Sequence, residues 1–164
     1  MVGPATDTRK TGFLPQGAGR FLRRQARWAV GLALMLAGLM SLLALLSHHP
    51  GDPSLNTAAD GPVRNLLGRP GAYLADLAMQ SFGLAAMLGA LVVATWGWRV
   101  AAGGRMTAVW LRIGLLPVAL AFIAAALAAL PSPADWSLDG GLGGAAGVLL
   151  LGRGHAVSLA LGLA

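Results

Sequence analysis

The stretch that decides the fold runs from Trp28 to Ser47 and reads WAVGLALMLAGLMSLLALLS. Its twenty residues carry no charge. A helix of that length, at about 1.5 Å per residue, crosses a hydrocarbon core of about 30 Å. The rest of the chain is similar, since 56% of its 164 residues are hydrophobic and 11% are charged, whereas soluble domains carry about 25% charged residues. The composition predicts an integral membrane protein.

Three further apolar blocks follow, each containing an ionisable residue: 72–98 with Asp76, 110–130 with Arg112, and 141–164 with Arg153 and His155. We therefore expect an all-α fold, a polytopic transmembrane helical bundle with three complete spans and a fourth that is interrupted near 152–155 or truncated. At the fourth block two alternatives stay open. Arg153 either marks a turn after a half-span, or it extends from a complete span to the interface.

Basic residues are concentrated on one side of the predicted membrane. Nine of the twelve Lys and Arg residues lie before the first block or from position 99 to 112. Because cytoplasmic loops carry an excess of Lys and Arg, we expect these segments in the cytoplasm, where they also meet anionic lipid. The residues predicted to set topology and contact lipid are Arg20, Arg23, Arg24, Arg27, Arg99, Arg105 and Arg112.

Blocks and charges together predict how the chain is divided. The expected segments are a basic cytoplasmic tail at 1–27, spans at 28–47, 72–98, 110–130 and 141–164, periplasmic loops at 48–71 and 131–140, and a cytoplasmic connector at 99–109. The second half of the first loop, at Leu66 and Leu67, is expected to lie on the membrane surface as a short helix.

Small residues recur at four-residue spacing in every block, and such rows let helix backbones approach closely in lipid. The rows are Ala33, Ala37 and Ser41; Ala86, Ala90 and Ala94; Ala121, Ala125 and Ala129; and Gly143 with Gly147. We therefore expect the helices to pack together as a bundle. Pro117 is expected to kink the third span or to free a carbonyl near Ile113.

The sequence offers little catalytic chemistry. It has no Cys, its six acids are all Asp, and it contains no Gly-x-x-x-x-Gly-Lys-Ser/Thr loop. Thiolate metal sites and that type of ATPase site are therefore excluded from these 164 residues. His48, His49 and Asp52 lack a further strong metal ligand in the sequence. We expect no catalytic, cofactor-binding or metal-binding residues, and no enzyme.

Asp76 is a candidate functional residue because a charge inside an apolar block is costly. It follows Tyr73 by about one helical turn, near the start of the block at its outer boundary. The carboxylate is expected either to remain in the wet interface, where it caps backbone N–H groups, or to couple transport. A small polytopic transporter or channel subunit is therefore the alternative function, which ion or substrate flux dependent on Asp76 would favour.

Four short motifs stand at the block boundaries: Asp-Pro-Ser at 52–54, Gly-Arg-Pro-Gly-Ala-Tyr-Leu-Ala-Asp-Leu at 68–77, Phe-Gly-Leu-Ala-Ala at 82–86, and Trp-Ser-Leu at 136–138 with Gly-Gly-Leu-Gly-Gly at 140–144. In their order and spacing, they resemble the four-span membrane region of the FtsK/SpoIIIE family of bacterial DNA translocases. The residues that carry the resemblance are Asp52, Pro53, Gly71, Tyr73, Asp76, Gly83, Trp136, Gly140 and Gly141.

The resemblance implies a membrane-anchor and septal interaction module in the bacterial inner membrane, which supports cell division and chromosome segregation. The family's ATPase motor and its DNA-contacting part have no matching positions in this sequence. The resemblance therefore implies neither ATP hydrolysis nor direct DNA binding by this chain. The expected partners are the lipid bilayer and membrane proteins of the division machinery, and self-association into a homo-oligomer is left open.

Overall fold

The computed structural model describes residues 18–55, 61–104, 106–133, 136 and 140–160, with side chains of the last helix as far as Gly152. These ranges contain helices and no strand. The elements are α1 (Ala18–Leu46), α2 (Gly68–Phe82), α3 (Ala85–Ala101), α4 (Val109–Ala128), a 3-10 turn (Gly141–Gly143) and α5 (Gly144–Ala160). The expected all-α fold is confirmed.

Membrane-crossing length is present in part of this bundle. By length and composition, α1 and α4 can each cross a membrane, and the pair of α2 and α3 meets the same test only when taken together. The described apolar stretch Gly141–Gly152 is shorter. The described helices therefore supply two membrane-spanning candidates, or three if the bent pair counts as one.

Side-chain size is distributed as expected for a bundle in lipid. The largest buried cluster consists mainly of small residues: Ala44, Leu45, Ala75, Met79, Ala86 and Ala90. In contrast, Trp110 and Phe122 of α4 are 85% and 68% exposed. Soluble monomers rarely expose apolar patches of this extent. Such a surface is suited to contact with the hydrocarbon chains of lipid.

The block 72–98, expected to be one span, is divided at Gly83 and Leu84 into α2 and α3. Gly83 has a φ of 58°, which turns the chain out of the helix. The Leu84 N–H then donates to the carbonyl oxygen of Leu142, 3.0 Å away. A Cβ on Gly83 would meet that carbonyl. Hydropathy does not detect this break because the residues on both sides of it are apolar.

α1 and α3 pack through what we call the glycine seam, formed by Gly31, Gly38 and Gly97. A Cβ on any of these glycines would meet the backbone of the other helix: Gly31 that of Ala101, Gly38 that of Ala94, and Gly97 that of Met35. Increasing positions on α1 thus meet decreasing positions on α3, so the two helices are antiparallel. Close backbone approach at small residues is how helices associate in lipid.

The small-residue rows predicted for these two helices have different outcomes. Ala86, Ala90 and Ala94 are buried, which confirms the row on α3. The row predicted on α1 is wrong, because Ala33 and Ala37 are exposed. Glycine takes their place: Gly31 and Gly38 are seven residues apart, about two helical turns, and lie on one face.

α4 packs against α5 through a second close approach. A Cβ on Gly143 or Gly147 would meet the carbonyl oxygen of Ala124, which confirms the predicted pair of glycines as an interface. The predicted row on α4 is displaced by one position, since Ala124 is fully buried and Ala129 is exposed. Because nearly every position of α4 is apolar, its composition gave no indication of the buried face.

α5 is continuous from Gly144 to Ala160. The alternative in which a turn at Arg153 interrupts the fourth block is therefore wrong. A helix is compatible with these residues because neither Arg nor His removes a backbone N–H or forces an unusual φ. The side chains of Arg153 and His155 lie outside the described part.

Candidate functional site

Three separate motif stretches converge on α2 at one end of the bundle. Asp52 and Pro53, in the connection after α1, are buried, as are Gly71 and Asp76 on α2. Trp136, from the connection after α4, packs against the buried cluster that α1, α2 and α3 share. Residues more than eighty positions apart in the sequence thus belong to one structural site.

The carboxylate of Asp52 holds the returning chain. Its two oxygens accept hydrogen bonds from the backbone N–H groups of Arg64 and Asn65, each at 2.8 Å. Asp52 is only 4% exposed, and hydrogen bonds to an ionised group are about twice as strong as neutral ones. This carboxylate therefore joins the segment that follows α1 to the segment that precedes α2.

Asn65 ties that loop to α1. Its side-chain nitrogen donates to the carbonyl oxygen of Ala44 at 2.8 Å and to that of Ser47 at 3.4 Å. The backbone N–H of Leu66 donates to the Ser47 hydroxyl at 3.2 Å. The last carbonyls of a helix lack partners within the helix, and Asn65 satisfies one of them. We call Ser47, Asp52 and Asn65 the polar clamp.

Gly71 is the position at which α2 passes the polar clamp. A Cβ on Gly71 would meet the side-chain oxygen of Asn65 and the side chain of Leu67. The same oxygen of Asn65 accepts the backbone N–H of Leu67 at 3.1 Å. A larger residue at position 71 would therefore displace the side chain that joins the loop to α1.

Asp76 and His48 form a second polar group beside the clamp. Asp76 is 8% exposed, and its carboxylate accepts a hydrogen bond from the Gln80 side chain at 2.9 Å. His48 Nε2 is buried without a hydrogen-bond partner within the described residues. Burial lowers the pKa of His48 from its ordinary 6.5, because desolvation outweighs the attraction of Asp76 and Asp52.

Neither polar group assembles a recognisable reaction centre. Among the described residues, no group of three His, Cys, Asp or Glu side chains is arranged to hold a metal ion. His49, considered as a metal ligand from the sequence, instead accepts the backbone N–H of Gly51 at 3.2 Å and lies 2.8 Å from a guanidinium nitrogen of Arg64. What the arrangement does chemically is to fix backbone segments in place.

A junction of two broken segments lies next to this site. The Leu84 N–H bonds to Leu142, and a Cβ on Gly144 would lie 2.6 Å from the backbone nitrogen of Gly83. Gly144 itself has a φ of 60°. Two of the motif glycines, Gly140 and Gly141, lead directly into this crossing. The junction joins the α2–α3 break to the start of α5.

The predicted topology residues collect at the opposite end, which we call the arginine end. Arg20, Arg23, Arg24 and Arg27 are exposed on the first turns of α1, and Arg99 is exposed in the last turn of α3. Arg112 is half-buried near the start of α4, where its Nε donates to the carbonyl oxygen of Thr107 at 3.1 Å. Arg105 lies outside the described residues, as do positions 1–17 of the predicted tail.

Sequence reasoning missed several residues that build the site. Ser47 and Asn65 had no assigned role, and Gly31, Gly38 and Gly97 were not singled out. A signal for the glycines was present in the seven-residue spacing of Gly31 and Gly38. Asn65 lacked such a signal, because its partners lie 18 and 21 positions away.

The fold and the site together define a class: a multi-pass helical membrane region whose polar side chains fix backbone. Residues 23–163 match the family described as the 4TM region of DNA translocase FtsK/SpoIIIE. The chain belongs to this family.

Relatives with the name DNA translocase FtsK are similar over most of the chain. Identity is 36% over 140 residues with the Bradyrhizobium diazoefficiens protein, covering 85% of this chain and 17% of that protein. It is 38% over 146 residues with that of Azospirillum brasilense, covering 88% and 23%. It is 40% over 131 residues with that of Brucella suis, covering 79% and 15%. The chain thus spans less than a quarter of the length of these relatives.

No solved structure matches this chain.

Proposed function

We propose that this chain is the membrane-anchor and septal interaction module of an FtsK-like DNA translocase, supporting cell division and chromosome segregation. It resides in the bacterial inner membrane as a multi-pass protein with its N-terminus in the cytoplasm. The observation that carries the proposal is the match of residues 23–163 to the FtsK/SpoIIIE membrane region. The assignment to a DNA translocase rests on the name of the relatives.

The packing supports an anchor role. A motor that pulls on DNA transmits an equal and opposite force to whatever holds it in the membrane. The glycine seam joins α1 to α3, and Gly143 and Gly147 join the 3-10 turn and α5 to α4, in both cases by backbone contact. Force applied to one helix is thereby shared with its neighbours, so extraction of a single span is opposed by the bundle.

The arginine end supports the proposed orientation. Arg99 and the four arginines on α1 belong to an antiparallel helix pair and lie at the same end of it, and Arg112 lies near the start of α4. Basic residues favour the cytoplasmic side, where anionic lipid attracts each of them with about 1 kcal/mol near the surface. The polar clamp then lies on the periplasmic side.

Exposed apolar side chains on α4 provide the proposed contact with division proteins. Trp110, Leu111 and Phe122 are more than half exposed, and such side chains can pack against the spans of a partner within the bilayer.

ATP hydrolysis is not part of this module. The purified chain is expected to show none, and measurable turnover of ATP would contradict this part of the proposal.

A chimera tests the proposed function directly. In the Azospirillum brasilense relative, the matching region is replaced by this chain, and a fluorescent protein is fused to the cytoplasmic end. We expect fluorescence at the septum and normal cell length. Fluorescence spread evenly over the membrane, in cells that fail to divide, would contradict the proposal.

Two glycine variants of the chimera test whether its localisation depends on the packing of the bundle. Gly97→Leu inserts a side chain into the backbone of α1 and is expected to abolish septal fluorescence. In Gly152→Leu, the new side chain enters open space on α5, away from the proposed contact on α4, since a Cβ there meets nothing within 4 Å, and localisation is expected to persist. Loss in both variants would mean that the method does not distinguish folding from septal interaction.

A further inference from the structure

The orientation of α2 does not fit a segment that crosses the membrane. The chain turns by 116° between α2 and α3. The fifteen residues of α2 are about 22 Å long at 1.5 Å per residue, but after such a turn they advance only about 10 Å along the axis of α3. Because the turn exceeds a right angle, that advance runs back over α3 and adds nothing to its length.

α3 can serve as a short span without α2. It comprises seventeen residues, or about 26 Å, compared with a hydrocarbon core of about 30 Å. Its partner α1 accompanies it in antiparallel contact from Gly31 to Gly38. The break at Gly83 therefore marks the level at which the chain leaves the direction of the spans.

The two faces of α2 differ in what they contact. One face is buried in the bundle: Gly71, Ala72, Ala75, Asp76 and Met79. The other carries Tyr73, Leu74 and Leu77, which are 39%, 43% and 57% exposed. The exposed face is apolar, although it continues a connection rich in polar residues.

Charge and aromatic placement indicate what covers this exposed face. Arg69, in the first turn of α2, is exposed, and Leu66 just before it is 70% exposed. A basic residue beside an apolar face fits lipid phosphate above acyl chains, and tyrosine is enriched at that depth. α3 begins at Ala85, three residues after α2 ends at Phe82, and it carries the exposed apolar residues Leu88 and Leu91.

We propose that α2 is an interfacial helix whose face of Tyr73, Leu74 and Leu77 lies at the boundary between headgroups and acyl chains of the periplasmic leaflet. The second span then consists of α3 alone. The inference rests on the membrane placement given under the proposed function. It assigns α2 a lipid-binding surface, with the buried face joined to the bundle and the polar clamp held at the level of the headgroups.

Depth measurements on the full chain in liposomes test this proposal. The chain has no cysteine, so a single introduced cysteine carries a nitroxide label without background. The labelled variants are Leu74→Cys and Leu77→Cys on α2, Leu91→Cys on α3 as the deep reference, and Gly61→Cys as the water-exposed reference. Collision with oxygen and with a water-soluble nickel complex gives the depth of each label.

The proposal predicts that positions 74 and 77 lie between the two references, about 5–10 Å below the phosphates. Labels at 74 and 77 as deep as position 91 would show that α2 enters the bilayer core and overturn the proposal. Labels that collide with nickel as often as position 61 would show a face exposed to water and awaiting a protein partner, and would overturn it equally.

The reference at position 91 separates this outcome from the fate of the proposed function. If position 91 is itself exposed to water, the membrane placement fails and the anchor role fails with it. If position 91 is deep and positions 74 and 77 are not at the interface, only the assignment of α2 fails. Reading two adjacent positions of the same face excludes a local effect of one label.

Discussion

The glycine seam and the polar clamp both hold α1 in the bundle, but they use opposite means. At the seam, Gly31, Gly38 and Gly97 have no side chains, and the backbones of two helices touch. At the clamp, the side chains of Asp52 and Asn65 reach across loops to bind backbone N–H and C=O groups. The glycine seam depends on the absence of side chains, and the polar clamp depends on polar side chains.

The difference follows from the solvent that each region meets. In hydrocarbon, burial of apolar side chains gains little, so helices associate by close packing. At the end of the bundle, the loop backbone has donors and acceptors that need partners, and a buried carboxylate and amide supply them. Mutations should therefore act by overpacking in one region and by lost hydrogen bonds in the other.

The largest expected effect is from Gly97→Leu in the glycine seam. The new side chain would meet the backbone of Met35 and Gly31, which cannot move without separating α1 from α3. Overpacking costs about 1–3 kcal/mol and occasionally more, and we expect at least the upper end of that range. SDS titration of the purified protein in mixed micelles, followed by circular dichroism, measures the free energy of unfolding.

Gly114→Leu is the matched control for this variant. Gly114 is also a helical glycine in an apolar segment, but a Cβ there meets nothing within 4 Å. Leucine favours a helix by up to about 1 kcal/mol relative to glycine, so unfolding should be unchanged or slightly harder. Equal destabilisation by both substitutions would contradict the seam.

In the polar clamp, Asp52→Ala is expected to cost about 2–3 kcal/mol. The substitution leaves the partly buried N–H of Arg64 and the buried N–H of Asn65 without their acceptor. Water can replace the acceptor at Arg64, whereas the lost bond to a charged group at Asn65 costs about 1.5–3 kcal/mol. The loop between α1 and α2 should open while the seam stays closed. Limited proteolysis should then cut between residues 48 and 67 much faster, and an unchanged rate would contradict the role of Asp52.

Asp76→Asn should have a smaller effect than Asp52→Ala. Asparagine retains an oxygen that can accept the Gln80 side-chain N–H, so the free energy of unfolding should change by about 1 kcal/mol or less. Insertion and localisation should be normal if the carboxylate is only structural. Normal insertion with abolished function in the chimera would instead reveal a coupling role.

The smallest expected effect is a dependence of stability on pH that is caused by protonation of His48. Its folded pKa is lowered from 6.5 by burial, so the unfolded chain binds a proton at a higher pH than the folded chain does. The contribution of neutral His48 to the free energy of unfolding is therefore complete above about pH 6.5. It is lost as the pH decreases through the folded pKa.

His48→Gln should reduce that decline between about pH 7.5 and pH 5.5, as followed by SDS titration at each pH. His49→Gln, which removes a neighbouring ring already bonded to Gly51 and Arg64, is the control. It should retain most of the decline, because desolvation rather than His49 is the main cause of the lowered pKa of His48. An unchanged decline in His48→Gln would assign the pH dependence to other groups.

The sequence predicted the helical class and the family, because both depend on long apolar runs and short motifs. It also located Asp52, Asp76 and the second-block alanines as residues of interest. It failed at the break in 72–98, since hydropathy is insensitive to the φ of Gly83. It placed the row of α1 on Ala33 and Ala37 because spacing alone does not reveal which face meets a partner.

The polar clamp could be predicted only in part. Asp52 stood out by its motif, but its acceptor role depends on Arg64 and Asn65, twelve and thirteen residues later. Pairings across an irregular loop leave no periodic pattern in a single sequence. Asn65 therefore resembled an ordinary turn residue until the fold placed it against Ala44.

The sidedness of the two regions is the central claim, and labelling of single cysteines in intact cells tests it most directly. Gly61→Cys lies at the clamp end and Thr107→Cys at the arginine end, and both positions are exposed. We predict that a membrane-impermeant maleimide labels position 61 in intact cells and position 107 only after permeabilisation. The reverse pattern, or labelling of both positions in intact cells, would contradict the account.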